Sequence, residues 1–216
     1  MNMKPIHLVL HIPFEKLASG SSRFWGNPDL PQGTEYPMYN DSDDEEYPYI
    51  FICQINLKAL HDFAPENPLP AKGLLSFFAK IDHYLGYMGD SELGGFISDP
   101  SEVKVIYFPD TGNLREVVLV DDDDKQMAPE EMEIRFAWKS EQLSDENELF
   151  AEPSHRPWET WDHPYEDWII LLQIDSFEGK DFILNFMDFG VLDFLISPKA
   201  LEKADFSNVR GIVLST

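Results

Sequence analysis

A chain of 216 residues with 43% hydrophobic content can bury one sizeable core, and an aromatic fraction of 13% excludes disorder over most of its length. Forty acidic residues against sixteen basic ones leave a formal charge of −24, which excludes nucleic acid and anionic membrane as partners, because both are bound through Lys and Arg. A field of that sign favours a basic protein or a cation, and it also serves solubility.

In chain order, Ile6, Leu8, Leu10 and Ile12 alternate with His7, Val9 and His11, the period of a half-buried strand. The apolar stretch is too short and too interrupted by His and Pro for a signal peptide or membrane span, so a cytoplasmic protein is expected. One helical turn is expected over residues 13–19. Residues 21–37 are rich in Pro and Gly and read as an ordered, irregular loop held by Phe24, Trp25 and Tyr36. The acidic run 41–46 reads as a solvated turn before a strand at 49–55. Asn56 is placed to cap a short helix carrying Leu57, Leu60 and Phe63 on one face. Strands are expected at 73–79, 103–108, 114–120 and 131–138, the last with Met132, Ile134, Phe136 and Trp138 on one side. A short helix and a loop are expected over 139–167, with the helix near 140–149. Ser197 and Pro198 open a helix reaching Ala204, and a strand at 209–214 ends the pattern.

One passage occurs twice. Gln54-Ile55-Asn56 is followed by a glycine-led apolar run from Gly73, and Gln173-Ile174-Asp175 by another from Gly190, at offsets of 119 and 117 residues. The expected fold is therefore α+β: a mainly antiparallel sheet with a few short helices. It is read as a single domain over 1–216, with related halves at about 20–120 and 125–216 around a shared core.

Residues 21–37, the segment Gln54 to Leu57, Leu69-Pro70 before Gly73 to Phe78, and Val105 to Phe108 resemble the YwqG-like proteins, a largely uncharacterised family of bacterial soluble proteins. Leu172 to Asp175, Asp188 with Gly190, and Asp205 to Val209 extend the resemblance to the end of the chain. It implies fold and compartment more than activity. Two departures stand out: Trp25-Gly26 where a Gly-Gly pair is expected, and an aromatic loop at 155–168 in place of a glycine-rich one.

The lone Cys53 lies in an apolar run and reads as a small buried hydrophobe. Gly89 to Leu93 resembles a lipase-like nucleophile block, but its position and a last histidine at His163 make chance the better account. The runs from Asp41 and Asp121 lack the Gly and Glu that a hand-type calcium loop needs. His7 and His11 are about 13 Å apart on a strand and cannot share an ion. His155, Asp162 and His163, among tryptophans, form a weak metal or acid–base candidate, weighed against a surface loop. No cofactor motif occurs. Gln54 and Gln173, at equivalent places in the repeated passage, either pin central strands or line a cleft between the halves. Trp25, Asp188 and His163 complete the candidate ligand set.

The expected function is a non-enzymatic binding module whose acidic surface meets a basic protein, an immunity-type role being one form of it. The alternatives are a carboxylate and histidine hydrolase, with or without a divalent cation, and a small-molecule binder in the cleft between halves. Nothing in the sequence indicates an oligomeric state.

Overall fold

Six- and seven-residue runs of Ile, Val, Leu and Phe, too short for helices and buried on both faces, decide this architecture. The computed structural model describes residues 3–81, 93–121, 123–139, 146–153, 164–179, 183–187 and 189–214. The first part carries β1 (Ile6–His11), β2 (Arg23–Phe24), β3 (Asp29–Pro31), β4 (Met38–Asn40), β5 (Glu46–Pro48), β6 (Ile50–Asn56), α1 (Leu57–Phe63), β7 (Leu74–Ala79), β8 (Val103–Phe108) and β9 (Leu114–Glu116). The second carries β10 (Met132–Ala137), β11 (Glu148–Leu149), β12 (Ile169–Asp175), β13 (Phe177–Glu178), β14 (Ile183–Leu184), β15 (Val191–Ile196), α2 (Pro198–Glu202) and β16 (Arg210–Leu214).

Ten of these strands form one antiparallel sheet in the order β16-β15-β12-β11-β1-β10-β2-β6-β7-β8. The expected α+β class is overturned: strand accounts for 41% of the structure and helix for 7%. With seven and five residues, α1 and α2 are too short to cover a sheet face, so the sheet covers itself by curling into a nearly closed barrel. Both caps are as the sequence implies, Asn56 accepting from the Ala59 N–H at 3.0 Å and Ser197 from the Ala200 N–H at 3.2 Å. Other expectations fail locally. Residues 13–19 form no helix, Glu148 and Leu149 are strand, the strand from Leu114 stops at Glu116, and the loop over 21–37 contributes β2 and β3. No helix among the described residues is long and apolar enough to cross a membrane.

The curl brings distant strands face to face: the rings of Phe77 on β7 and Phe194 on β15 meet edge-on at 5.3 Å. They belong to a core cluster that also takes in Ile6, Phe24, Cys53, Val105, Leu172 and Val213. Full burial of each such aromatic contributes about 1.5–3 kcal/mol. Burial alone pushes the Cys53 thiol far above its ordinary range, so it stays protonated and inert. On the opposite face, Phe51 and Phe78 pack with Leu30 and Tyr36, while Ile170 and Leu195 pack with Tyr165 and Trp168. The sheet ends are linked through residues 94–98: the Ser98 N–H donates to the Gly211 carbonyl at 2.8 Å, and Ser98 Oγ accepts from the Gly211 N–H at 2.9 Å. That link satisfies part of the backbone an open edge strand would expose.

Two strand pairs are built alike. In β6·β7 the register shifts between Phe51 and Cys53, and in β12·β15 between Ile170 and Leu172. Trp25 and Phe150, just beyond β2 and β11, have φ of 56° and 57°, and their N–H groups donate to Ile52 and Leu171. Gly73 and Gly190 precede β7 and β15, where the neighbouring strand end comes close. A Cβ on Gly190 would lie 1.9 Å from the Leu214 carbonyl oxygen, whereas one on Gly95 would meet nothing within 4 Å. Gly190→Ala is therefore expected to cost at least about 1–3 kcal/mol in urea unfolding, and Gly95→Ala less than about 0.5 kcal/mol.

Candidate functional site

Cross-strand partners in an antiparallel sheet point to the same face, so the register assembles two polar rows. One runs Glu133, Arg23, Gln54, Ser76 across β10, β2, β6 and β7; the other runs His7, Glu148, Gln173, Asp193 across β1, β11, β12 and β15. Two of the contacts around them recur in both rows. Gln54 Nε2 donates to the Ser21 carbonyl at 2.9 Å, and Gln173 Nε2 to the Glu146 carbonyl at 3.0 Å. The Asn56 N–H donates to Ser22 Oγ at 2.9 Å, and the Asp175 N–H to Asn147 Oδ1 at 3.0 Å. Ser21, Ser22 and Arg23 thus stand where Glu146, Asn147 and Glu148 stand in the second row.

The first row is sealed. Arg23, 1% exposed, donates to Asp29 Oδ2 at 2.7 Å, to Glu131 Oε2 at 2.9 Å, and to the carbonyls of Asn27 and Ala18. Gln54 is fully used: Oε1 accepts from the Asp29 N–H at 2.9 Å, and Nε2 also reaches Asp29 Oδ2 at 2.7 Å. Charges so far from water are held because these carboxylates and carbonyls surround them, with Arg23 Nε left without an acceptor among the described residues.

The second row opens into a pocket of about 320 Å³ lined by Lys4, Pro5, His7, Trp138, Glu146, Glu148, Glu152 and Gln173. Where the first row has a guanidinium, this one has a carboxylate. Burial pushes the Glu148 carboxyl above the ordinary glutamate range, Glu146 and Glu152 push it further, and His7 pulls the other way. His7 Nδ1 lies 2.9 Å from Glu148 Oε1 but outside hydrogen-bond alignment, so the contact is Coulombic and depends on a protonated imidazole. Gln173 is 4% exposed, and its carbonyl oxygen receives no hydrogen bond from any described residue. Trp138 stacks on Phe63 at 4.8 Å and carries Lys4 Nζ over its ring at 4.1 Å, so one face of this wall already accepts a cation. Among the described residues no group of three or more His, Cys, Asp and Glu is placed to hold a metal ion.

Of the residues singled out from sequence, Gln54 and Gln173 occupy matching positions but do not converge. Five strand spacings separate β6 from β12, about 24 Å along the sheet. Trp25 is fully buried in the core against Phe24. Asp188, His155, Asp162 and His163 lie outside the described residues, as does most of the block Gly89 to Leu93. The run at 41–46 is a hairpin turn between β4 and β5, in which Asp41 Oδ1 accepts from the N–H groups of Asp43 and Glu45. Sequence reasoning missed Arg23, Glu146, Glu148 and Glu152. A signal existed: residues 21–28 (Ser-Ser-Arg-Phe-Trp-Gly-Asn-Pro) align with residues 146–153 (Glu-Asn-Glu-Leu-Phe-Ala-Glu-Pro) at a constant offset of 125.

The sequence matches the family described as a domain of unknown function, DUF1963, over residues 22–162 and again over residues 144–213. No curated protein matches it. The chain belongs to the DUF1963 family.

Proposed function

We propose that this protein is a non-enzymatic, cytoplasmic binding module of the YwqG-like kind, built from two related halves, and that the acidic pocket of its second half docks a cationic side chain of a basic protein. The observation that carries this reading is the pocket itself: Glu148 and Glu152, with Glu146 at the rim, line it beside Lys4 and a buried glutamine whose carbonyl oxygen has no donor among the described residues. The net charge of −24 supplies long-range attraction, and the pocket supplies the place where a cation is desolvated and held.

The two contributions separate experimentally. A basic peptide of Arg, Lys, Gly and Ser is titrated against the protein carrying Glu146→Gln with Glu148→Gln, and against one carrying Glu35→Gln with Glu66→Gln, at exposed positions elsewhere. Both doubles remove the same charge. The account expects association with wild type to slow steeply with salt, and the pocket double to weaken affinity about 10-fold or more beyond the surface double. Equal weakening by the two doubles means that only the diffuse field attracts the peptide, and the docking pocket is then wrong.

A further inference from the structure

The two polar rows differ in one respect that specifies a ligand. At the position between the first-row glutamine and the neighbouring long strand, the first row holds Arg23 and the second holds Glu148. In the first row the guanidinium is gripped by the carboxylates of Asp29 and Glu131 and by two backbone carbonyls, beside an amide that pins the same carboxylate. In the second row the amide of Gln173 and the N–H of Asp175 make the matching bonds, and carboxylates line the space. Among the described residues, no guanidinium lines that pocket.

We propose that this pocket receives the guanidinium of an arginine side chain from a partner protein, in the part that Arg23 plays within the chain. The inference rests on the pocket being a cation site and adds which cation it takes. Three observations favour a guanidinium over an ammonium. The pocket volume of about 320 Å³ exceeds what a compact ammonium fills. Its acceptors are spread out: carboxylates on both β11 and the flanking residues, plus the Gln173 carbonyl oxygen, a layout suited to a planar fork with five N–H donors. Trp138, backed by Phe63, presents a flat face on which a guanidinium stacks. Lys4 now covers that face without forming an ion pair to any described carboxylate, so it acts as a weak internal competitor that an incoming arginine displaces.

The test uses the whole chain at low salt with N-acetyl-arginine amide, N-acetyl-lysine amide and the neutral N-acetyl-citrulline amide, read by ligand-observed NMR and thermal shift. The arginine amide is expected to bind more tightly than the lysine amide, and the citrulline amide not to bind. Glu148→Gln is expected to weaken the arginine amide about 10-fold or more, while Lys4→Met strengthens it. Glu148→Arg, which makes the second row resemble the first, is expected to abolish binding and raise thermal stability; if that variant does not fold, Glu148→Gln decides. Equal binding of the lysine and arginine amides overturns the guanidinium assignment. Absence of arginine amide binding, with basic-peptide binding still dependent on Glu146 and Glu148, overturns this inference and leaves the cation site standing. Loss of both overturns the two together.

Discussion

Arg23→Met is expected to destabilise the protein by about 3–5 kcal/mol in urea unfolding at neutral pH, out of a total of about 5–15 kcal/mol for a domain of ordinary stability. The substitution keeps much of the side-chain volume and removes the guanidinium. Asp29, almost fully buried, keeps its bonds from the Gly20 N–H at 2.8 Å and from Gln54 at 2.7 Å but loses the guanidinium paired with it. Glu131 Oε2 loses its arginine partner as well. Because the pair is shielded from solvent, the loss should change little with added salt. The double variant Arg23→Met with Asp29→Asn should recover part of the loss, since the buried charge goes with its counter-ion. A cost below about 1 kcal/mol, within the range of exposed pairs, would contradict this account of the sealed row.

Glu148→Gln is expected to act in opposite directions on stability and on binding. The folded carboxyl has its pKa raised, with burial the main cause, so the folded state binds protons more readily than the unfolded chain. A raised carboxyl pKa contributes stability below the unfolded value of about 4.3, and that contribution is lost as pH rises through the folded value. At neutral pH the ionised Glu148 is therefore a net strain on the fold. Removing its charge should raise stability at pH 7.5 and make little difference near pH 4, while weakening a basic ligand. A residue held only for structure would lose stability on substitution; a residue kept for binding shows this trade. Unfolding curves at the two pH values decide, and a Glu148→Gln protein less stable than wild type at pH 7.5 would remove the argument.

What could be read from the sequence follows from the range of the forces involved. Period-two alternation in β1 and β10, the Asn56 and Ser197 caps, and the strands opened by Gly73 and Gly190 are local signals, and each element starts close to where its residues say, although α2 stops at Glu202 short of Ala204. The class was misjudged because local pattern does not reveal that the strands join into one sheet that curls onto itself. The few short helices that the sequence implies are too small a share of the structure to make the class α+β. The two-residue strands β2 and β11 carry no period at all; they exist because β6 and β12 offer them partners. For the same reason Arg23 and Glu148 were invisible as site residues: Gln54 and Gln173 were legible through the repeated passage, but the residue opposite each is defined only by register. The 125-residue offset between 21–28 and 146–153 was the available clue, and it is weak because three of the eight positions change charge between the two segments.

The central claim is that a cation docks in the pocket formed by Glu146, Glu148, Glu152 and Gln173. A titration of isotope-labelled protein with the basic peptide tests it most directly, because the Gln173 side-chain amide and the Trp138 indole N–H give their own resonances. The account predicts that these two signals and the backbone amides of 146–152 shift first and together, and that Glu148→Gln suppresses those shifts. Shifts spread over the acidic runs at 41–46 and 121–124, with Gln173 and Trp138 unmoved, would contradict it.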